Sequence, residues 1–209
     1  MLQKYFTFLI WLLVLAKVHS GHAENSAPPP LDRANARILL EISLFPDDLV
    51  WPDWRFPLTL PSDASGHEKD ALEALANAGI LQRERQIVRE NDANGSARVQ
   101  GGWLYRIHPA QDALRQSDAE WLFYGRGRVL DIPQISAPVW KEPYWYLEAE
   151  MSWCVESPAS WLALDGVKQL YRARRSLESC KRPFHQSVYF QFDGRRWGYW
   201  QPQSGQPLR

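Results

Sequence analysis

The sequence predicts an α+β protein, and three observations carry that expectation. Runs with apolar residues at helical spacing stand beside segments that alternate strictly with period two. An Asn94-Gly95 pair separates two arms of strand character, which signals a hairpin. A dense aromatic stretch, residues 120–154 (EWLFYGRGRVLDIPQISAPVWKEPYWYLEAEMSWC), reads as two long strands joined through a Pro-punctuated connection. A helix that leads at once into a hairpin is the order of a winged-helix module. The expected architecture is therefore winged-helix-like helices plus a hairpin, packed with an antiparallel strand-rich C-terminal half.

The N-terminus decides where the chain works. Residues 1–4 carry a positive charge, residues 5–16 (YFTFLIWLLVLA) are almost wholly apolar, and Gly21 and Ala23 put small residues at a cleavage site before Glu24. That is the pattern of a secretory signal peptide over residues 1–23. The apolar run is shorter than the ~20 residues of a spanning helix. An uncleaved N-terminal anchor is the competing reading. Residues 24–30 (ENSAPPP) form a polar, Pro-rich linker, and residues 31–209 form a single α+β domain with a sub-boundary near residue 118. After cleavage no membrane span is expected.

From 31 to 44 (LDRANARILLEISL), Leu31, Ala34, Ile38 and Ile42, continued by Phe45, recur at near-helical spacing and predict a first helix that Pro46 stops. Residues 45–61 are Pro-punctuated and read as extended chain, with a strand around 55–60. Ser65-x-x-Glu68 has capping-box spacing, Ala71, Leu72, Leu75 and Ala78 form one stripe, and Gly79 stands where a left-handed cap belongs. A helix over 68–78 follows. Residues 81–90 and 97–107 are the hairpin arms, and residues 109–118 form a short helix with Pro109 in its first turn.

Residues 121–131 read as a strand bent at Gly125 and Gly127, with Pro133 and Pro138 breaking the chain. Residues 144–153 form the clearest strand. Trp145, Leu147, Ala149, Met151 and Trp153 share one face, which is core; Tyr144, Tyr146, Glu148, Glu150 and Ser152 share the other, which is solvent or a binding surface. Ser157-Pro158 starts a helix as N-cap and first residue, carrying Trp161 and Leu164 inward. Val167, Leu170, Tyr171 and Leu177 continue it toward Cys180, with Gly166 as a divider. A hairpin over 187–200, turning at Asp193-Gly194, ends the fold.

Three pieces in order resemble a group of exported, mostly uncharacterised proteins of Gram-negative bacteria: ARILLEISLFPDDLVWP, then LEALANAGILQRE, then FYGRGRVLDIPQISAP followed by YWYLEAEMSW and PASWL. The resemblance covers residues 36–162. It implies a periplasmic protein and gives no catalytic residue to transfer. Members often carry Cys just before the Tyr-Gly pair, where Phe123 stands here.

Composition narrows the chemistry. Lys+Arg 24 balances Asp+Glu 24, and loss of Lys4 and Lys17 leaves the rest slightly acidic. Such a chain has no long-range attraction for nucleic acid. Two cysteines, Cys154 and Cys180, in an oxidising compartment are expected to pair; the loop closed is worth about 3–4 kcal/mol in the chain-entropy account. Gly-x-Ser-x-Gly is absent, and His67, His108 and His185 stand singly without metal spacing. No cofactor, no metal and no catalytic residue is expected. The weak binding candidates are Tyr144, Tyr146, Glu148 and Glu150 on one strand face, and Arg172, Arg174 and Arg175, with Lys181 and Arg182, in a basic cluster. Glu148 and Glu150 have a spacing compatible with a glycosidase pair and equally with a solvated face. The reading is a non-enzymatic binding or adaptor protein acting on a cell-envelope protein. A cell-wall glycan ligand is the alternative, and a hydrolase with an unrecognised site the third.

Overall fold

A computed structural model describes residues 27–91, 97–110 and 121–202. The chain divides into two units, Met1–Pro30 and Leu31–Arg209. Of the first, residues 27–30 are described and carry no regular secondary structure. The second is a mixed α+β structure built on two antiparallel sheets. Its elements are α1 (Arg33–Leu44), β1 (Asp48–Val50), β2 (Leu58–Pro61), α2 (His67–Asn77), β3 (Leu81–Asn91) and β4 (Ala97–Ile107), then β5 (Phe123–Ile135), β6 (Val139–Lys141) and β7 (Tyr144–Glu156). A 3₁₀ turn (Ser160–Ala163), α3 (Asp165–Lys168), α4 (Tyr171–Glu178), β8 (Phe184–Phe192) and β9 (Trp197–Trp200) complete it.

The larger sheet has the order β1-β5-β7-β8-β9, with β6 also paired to β7. β5 and β6 lie along the same side of β7. Ser136 bridges them, its N–H donating to Glu148 O (2.8 Å) and its Oγ accepting from Glu148 N–H (2.9 Å). They are one long arm with a break at residues 136–138. Pro133 does not end β5, contrary to expectation: the strand runs through it because the pairing with β7 is already irregular between Asp131 and Gln134, and a proline is tolerated at such a bulge. The bend at Gly125 is as expected. Leu49 pairs with Gly125 and Val50 with Phe123, leaving Tyr124 as the extra residue, and Gly125 takes φ +151°. Gly127 is required for a different reason, since a Cβ there would run into the Phe45 ring.

One face of this sheet is covered by α1. Ala36 and Leu40 are fully buried against Val129, Leu147, Ala149, Met151, Val188 and Phe190. Asp32 caps the helix, accepting from Asn35 N–H at 2.8 Å. The helix is the expected one, but its buried stripe is not. Ile38 and Ile42 are 53% and 66% exposed. A competing stripe packs on the sheet instead, Ala36 and Leu40 with Leu39 and Leu44 partly buried, and beside it the guanidinium groups of Arg33 and Arg37 donate to the backbone oxygens of Pro133 (2.8 Å) and Leu130 (2.6 Å). Together these contacts hold the 33/37/40/44 side against β5, and Phe45, beyond the helix end, swings onto the Trp153 ring (5.1 Å).

The smaller sheet has the order β2-β4-β3 and shares a second apolar cluster with α2 and the 3₁₀ turn. At its centre Trp51, Trp54 and Trp161 meet at ring distances of 5.3–6.4 Å. Helix α2 ends as expected: Gly79 takes φ +72°, its N–H reaches Ala76 O, and Ile80 N–H reaches Leu75 O, the paired bonds of a Schellman cap. Its start differs. Gly66 is the N-cap and makes no side-chain cap. Glu68, expected to complete a capping box with Ser65, accepts instead from the Trp54 indole (3.2 Å). The Asn94-Gly95 turn lies outside the described residues, as does the 109–118 helix beyond the 3₁₀ residues Pro109 and Ala110.

Ser157 is not an N-cap; it has φ +48°, and the helical turn begins at Ser160. The helix expected to divide at Gly166 is three short pieces, broken instead where Leu164 and Leu170 are extended. Gly166 is not the divider. It lets α3 lie on α2, where a Cβ would sit 2.6 Å from Asp70 O and 2.9 Å from Ala74 Cβ. Tyr171 and Leu177 are exposed, and Ala173 and Ser176 are buried in their place. The Cys154–Cys180 disulfide is present. Among the described residues no helix is long and apolar enough to cross a membrane.

The two sides of α1 predict different costs of truncation. Leu40→Ala should lower the unfolding free energy by about 2–5 kcal/mol. Ile38→Ala should change it by no more than about 0.5 kcal/mol. Urea denaturation of the two variants checks this, and the reverse order would place the wrong side of α1 against the sheet.

Candidate functional site

Strand parity divides β7 as the sequence predicts as far as Glu150; Ser152, expected on the open face, is instead buried, its Oγ directed to Asp131 O. Leu147, Ala149 and Met151 are buried under α1, while Tyr144 and Glu150 are exposed and Tyr146 and Glu148 half-buried on the opposite face. Cross-strand pairing extends that second face. In antiparallel pairs, partners directly opposite share a face. Tyr146 pairs with Gln191, Glu148 with Tyr189, Glu150 with Ser187, and Ser152 with His185. Tyr189 in turn pairs with Trp200, and Gln191 with Gly198. On the other flank Lys141 pairs with Tyr144, Val139 with Tyr146, and Gln134 with Glu150.

The result is an aromatic group set beside two carboxylates. Trp200 contacts Tyr146 at 4.9 Å and Tyr189 at 6.4 Å, both edge-to-face. Glu148 stands between Tyr146 on its own strand and Tyr189 on the next. Glu150 follows at about 7 Å along β7. Burial pushes the Tyr146 phenol above its ordinary range, with neighbouring Tyr144 adding to the effect. A groove of about 210 Å³ runs beside the group, lined by Ser136, Val139, Lys141, Tyr146 and Glu148 among others.

The β8–β9 turn places Trp200. Asp193 Oδ1 accepts from the N–H groups of Arg195 and Arg196, both at 2.9 Å, and Gly194 takes φ +92°. Those two bonds, led by the one from Arg196, hold the Asp193 carboxyl below the usual carboxylate range.

The arginine candidates lie elsewhere. They belong to α4, at the Cys154 end of β7, about 30 Å along the strand from Tyr144. Two are committed to the fold. Arg172 pairs with Asp53 at 3.1 Å. Arg175 donates to Arg182 O at 3.0 Å and lies 4.8 Å from the Phe184 ring centre. Arg182 pairs with Glu178 at 3.6 Å, and Arg174 and Lys181 face solvent. Beside this end of the sheet lies a second depression of about 380 Å³, among Asp48, Arg126, Glu156 and Ser157. Its charges are taken up in pairs, Arg126 with Asp48 and Arg128 with Glu156.

Tyr189, Gln191, Gly198 and Trp200 are the residues that sequence reasoning missed. The signal was parity within the last hairpin: Trp200 falls opposite Trp197 and Tyr199, which face the core cluster. No family model, curated protein or solved structure matches the chain.

The lowered Asp193 carboxyl fixes a sign for pH dependence. An acid held lower in the folded state contributes stability that is fully present above its unfolded value of about 3.9. That contribution is lost as pH falls through the lowered folded value. NMR titration of the Asp193 side-chain carboxyl should place its midpoint below that of an unfolded-chain aspartate, with the Arg195 and Arg196 amide resonances following the same curve. A midpoint at or above the unfolded value would contradict the turn geometry.

Proposed function

We propose that this chain is an exported, non-enzymatic binding protein of the Gram-negative envelope, and that the open face of its larger sheet docks an envelope protein. The observation that carries the reading is the asymmetry of that sheet. Helix α1 covers one face, while the other gathers Tyr144, Tyr146, Tyr189 and Trp200 around Glu148 and Glu150. Tyrosine and tryptophan are enriched where interfaces draw most of their binding energy, because each buries large area at low conformational cost. The export pattern of residues 1–23 and the Cys154–Cys180 bond are compatible with a periplasmic location. The resemblance to exported Gram-negative proteins points the same way. The winged-helix-like reading of β2–α2–β3–β4 belongs to this proposal too, supported by the helix-then-hairpin order and by β2 pairing with β4.

A second reading has its own observation. The groove beside Tyr146 and Glu148 puts a carboxylate next to an aromatic ring, a combination that also suits a cell-wall glycan, whose hydroxyls donate to carboxylates.

A photo-crosslinking amino acid separates the readings in living cells. Placed at Gln191, it should yield one discrete protein adduct; placed at Ile87, on the exposed part of β3, it should yield none. Tyr144→Ala combined with Tyr146→Ala should abolish the adduct. Co-sedimentation with purified sacculi, lost in the same double variant and without any protein adduct, would instead favour the glycan. Equal adducts from Gln191 and Ile87 would defeat the face assignment.

A further inference from the structure

The open face has a sign as well as a shape. Its middle carries Glu148 and Glu150. The ion pairs formed among the described residues involve neither of them. Groups that can carry positive charge stand toward its two ends, among them Lys141 opposite Tyr144, which also lines the groove with Glu148, and His185 opposite Ser152. The rings beside Glu148 reinforce the sign, because an aromatic face is the negative side of its quadrupole and attracts cations. Open space adjoins the rings: Gly198, opposite Gln191 and next but one to Trp200, would meet nothing within 4 Å if it carried a Cβ.

We infer that this face docks an extended protein segment presenting a basic side chain, arginine or lysine. The aliphatic stem lies across Tyr146 and Trp200, and the charge lies against Glu148 and Glu150. The inference rests on the protein-partner reading above and adds the chemistry of the partner. Long basic side chains fit such a surface because their methylene stems pack on rings while the head group pairs with carboxylates. A neutral or acidic segment would leave two carboxylates desolvated and unpaired, which selects against it.

The test uses the full chain after removal of residues 1–23 and three probes: the capped peptide Ser-Arg-Ser-Arg-Ser, the same peptide with citrulline for arginine, and a soluble peptidoglycan glycan fragment. Amide shifts are followed by NMR. The arginine peptide should shift the Glu148, Gln191 and Gly198 amides. Citrulline, or Glu148→Gln with Glu150→Gln, should weaken binding about tenfold or more, and raising salt from about 50 to about 500 mM should weaken it further. Gly198→Leu should occupy the space beside the rings and weaken binding with both carboxylates in place. Equal binding of the arginine and citrulline peptides overturns the inference and leaves the docking face standing. Shifts from the glycan fragment alone overturn it in favour of the second reading. Absence of any peptide shift, with the Gln191 adduct still forming in cells, overturns the basic-segment chemistry. Loss of that adduct as well removes the docking face with it.

Discussion

β7 lies inside the larger sheet, hydrogen-bonded to β5 and β6 on one side and to β8 on the other, so its backbone groups are satisfied laterally and its side chains must divide between two faces. Period two then dictates which residues meet which environment. Leu147, Ala149 and Met151 fall under α1, in one cluster with its Ala36 and Leu40. The alternate residues have no such cover. A one-residue slip of β7 would bury Glu148 and expose Leu147, which is why the register is strongly specified. The candidate face is thus a consequence of how the core is built.

The last turn of β7 has no β8 partner beyond Trp153, and the chain closes that edge by other means. Ser179 Oγ accepts from Val155 N–H at 2.9 Å and donates to Ser176 O at 2.7 Å. Cys180 is bonded to Cys154. A helix end therefore stands where a strand would continue, and the disulfide holds it there, contributing about 2–4 kcal/mol by restricting the unfolded chain. Arg175 belongs to the same closure through Arg182 O and the Phe184 ring, so a residue that looked like part of a docking patch serves the fold.

How much was legible in the sequence depended on whether the deciding contact was local. The strand faces of β7, the Gly79 cap and the Cys154–Cys180 bond were readable because periodicity, a left-handed position and a pair of cysteines are local or leave no alternative partner. The buried side of α1 was not. Two apolar stripes compete on that helix, and the one that wins, Ala36 and Leu40 with Leu39 and Leu44, is chosen by packing on strands about a hundred residues away, where Arg33 and Arg37 also reach backbone oxygens. Glu68 leaves the capping box for a related reason, since the Trp54 indole, 14 residues earlier, donates to it. Half of the candidate face was visible as Tyr144, Tyr146, Glu148 and Glu150. Parity in the last hairpin turns Trp200 away from the core, but only strand pairing sets Tyr189 and Trp200 beside Tyr146 and Glu148.

The central claim is that one sheet face is core and the other is an open docking surface. Hydroxyl-radical footprinting of the isolated protein, and of the protein in complex with its crosslinked partner, tests it directly. The account predicts rapid modification of Tyr144 and Trp200 in the isolated protein, near-absent modification of Met151 and Phe190 on the face under α1, which are 1% and 0% exposed, and protection of Tyr144 and Trp200 in the complex. Slow modification of Tyr144 and Trp200 in the isolated protein, or no protection in the complex, would contradict it.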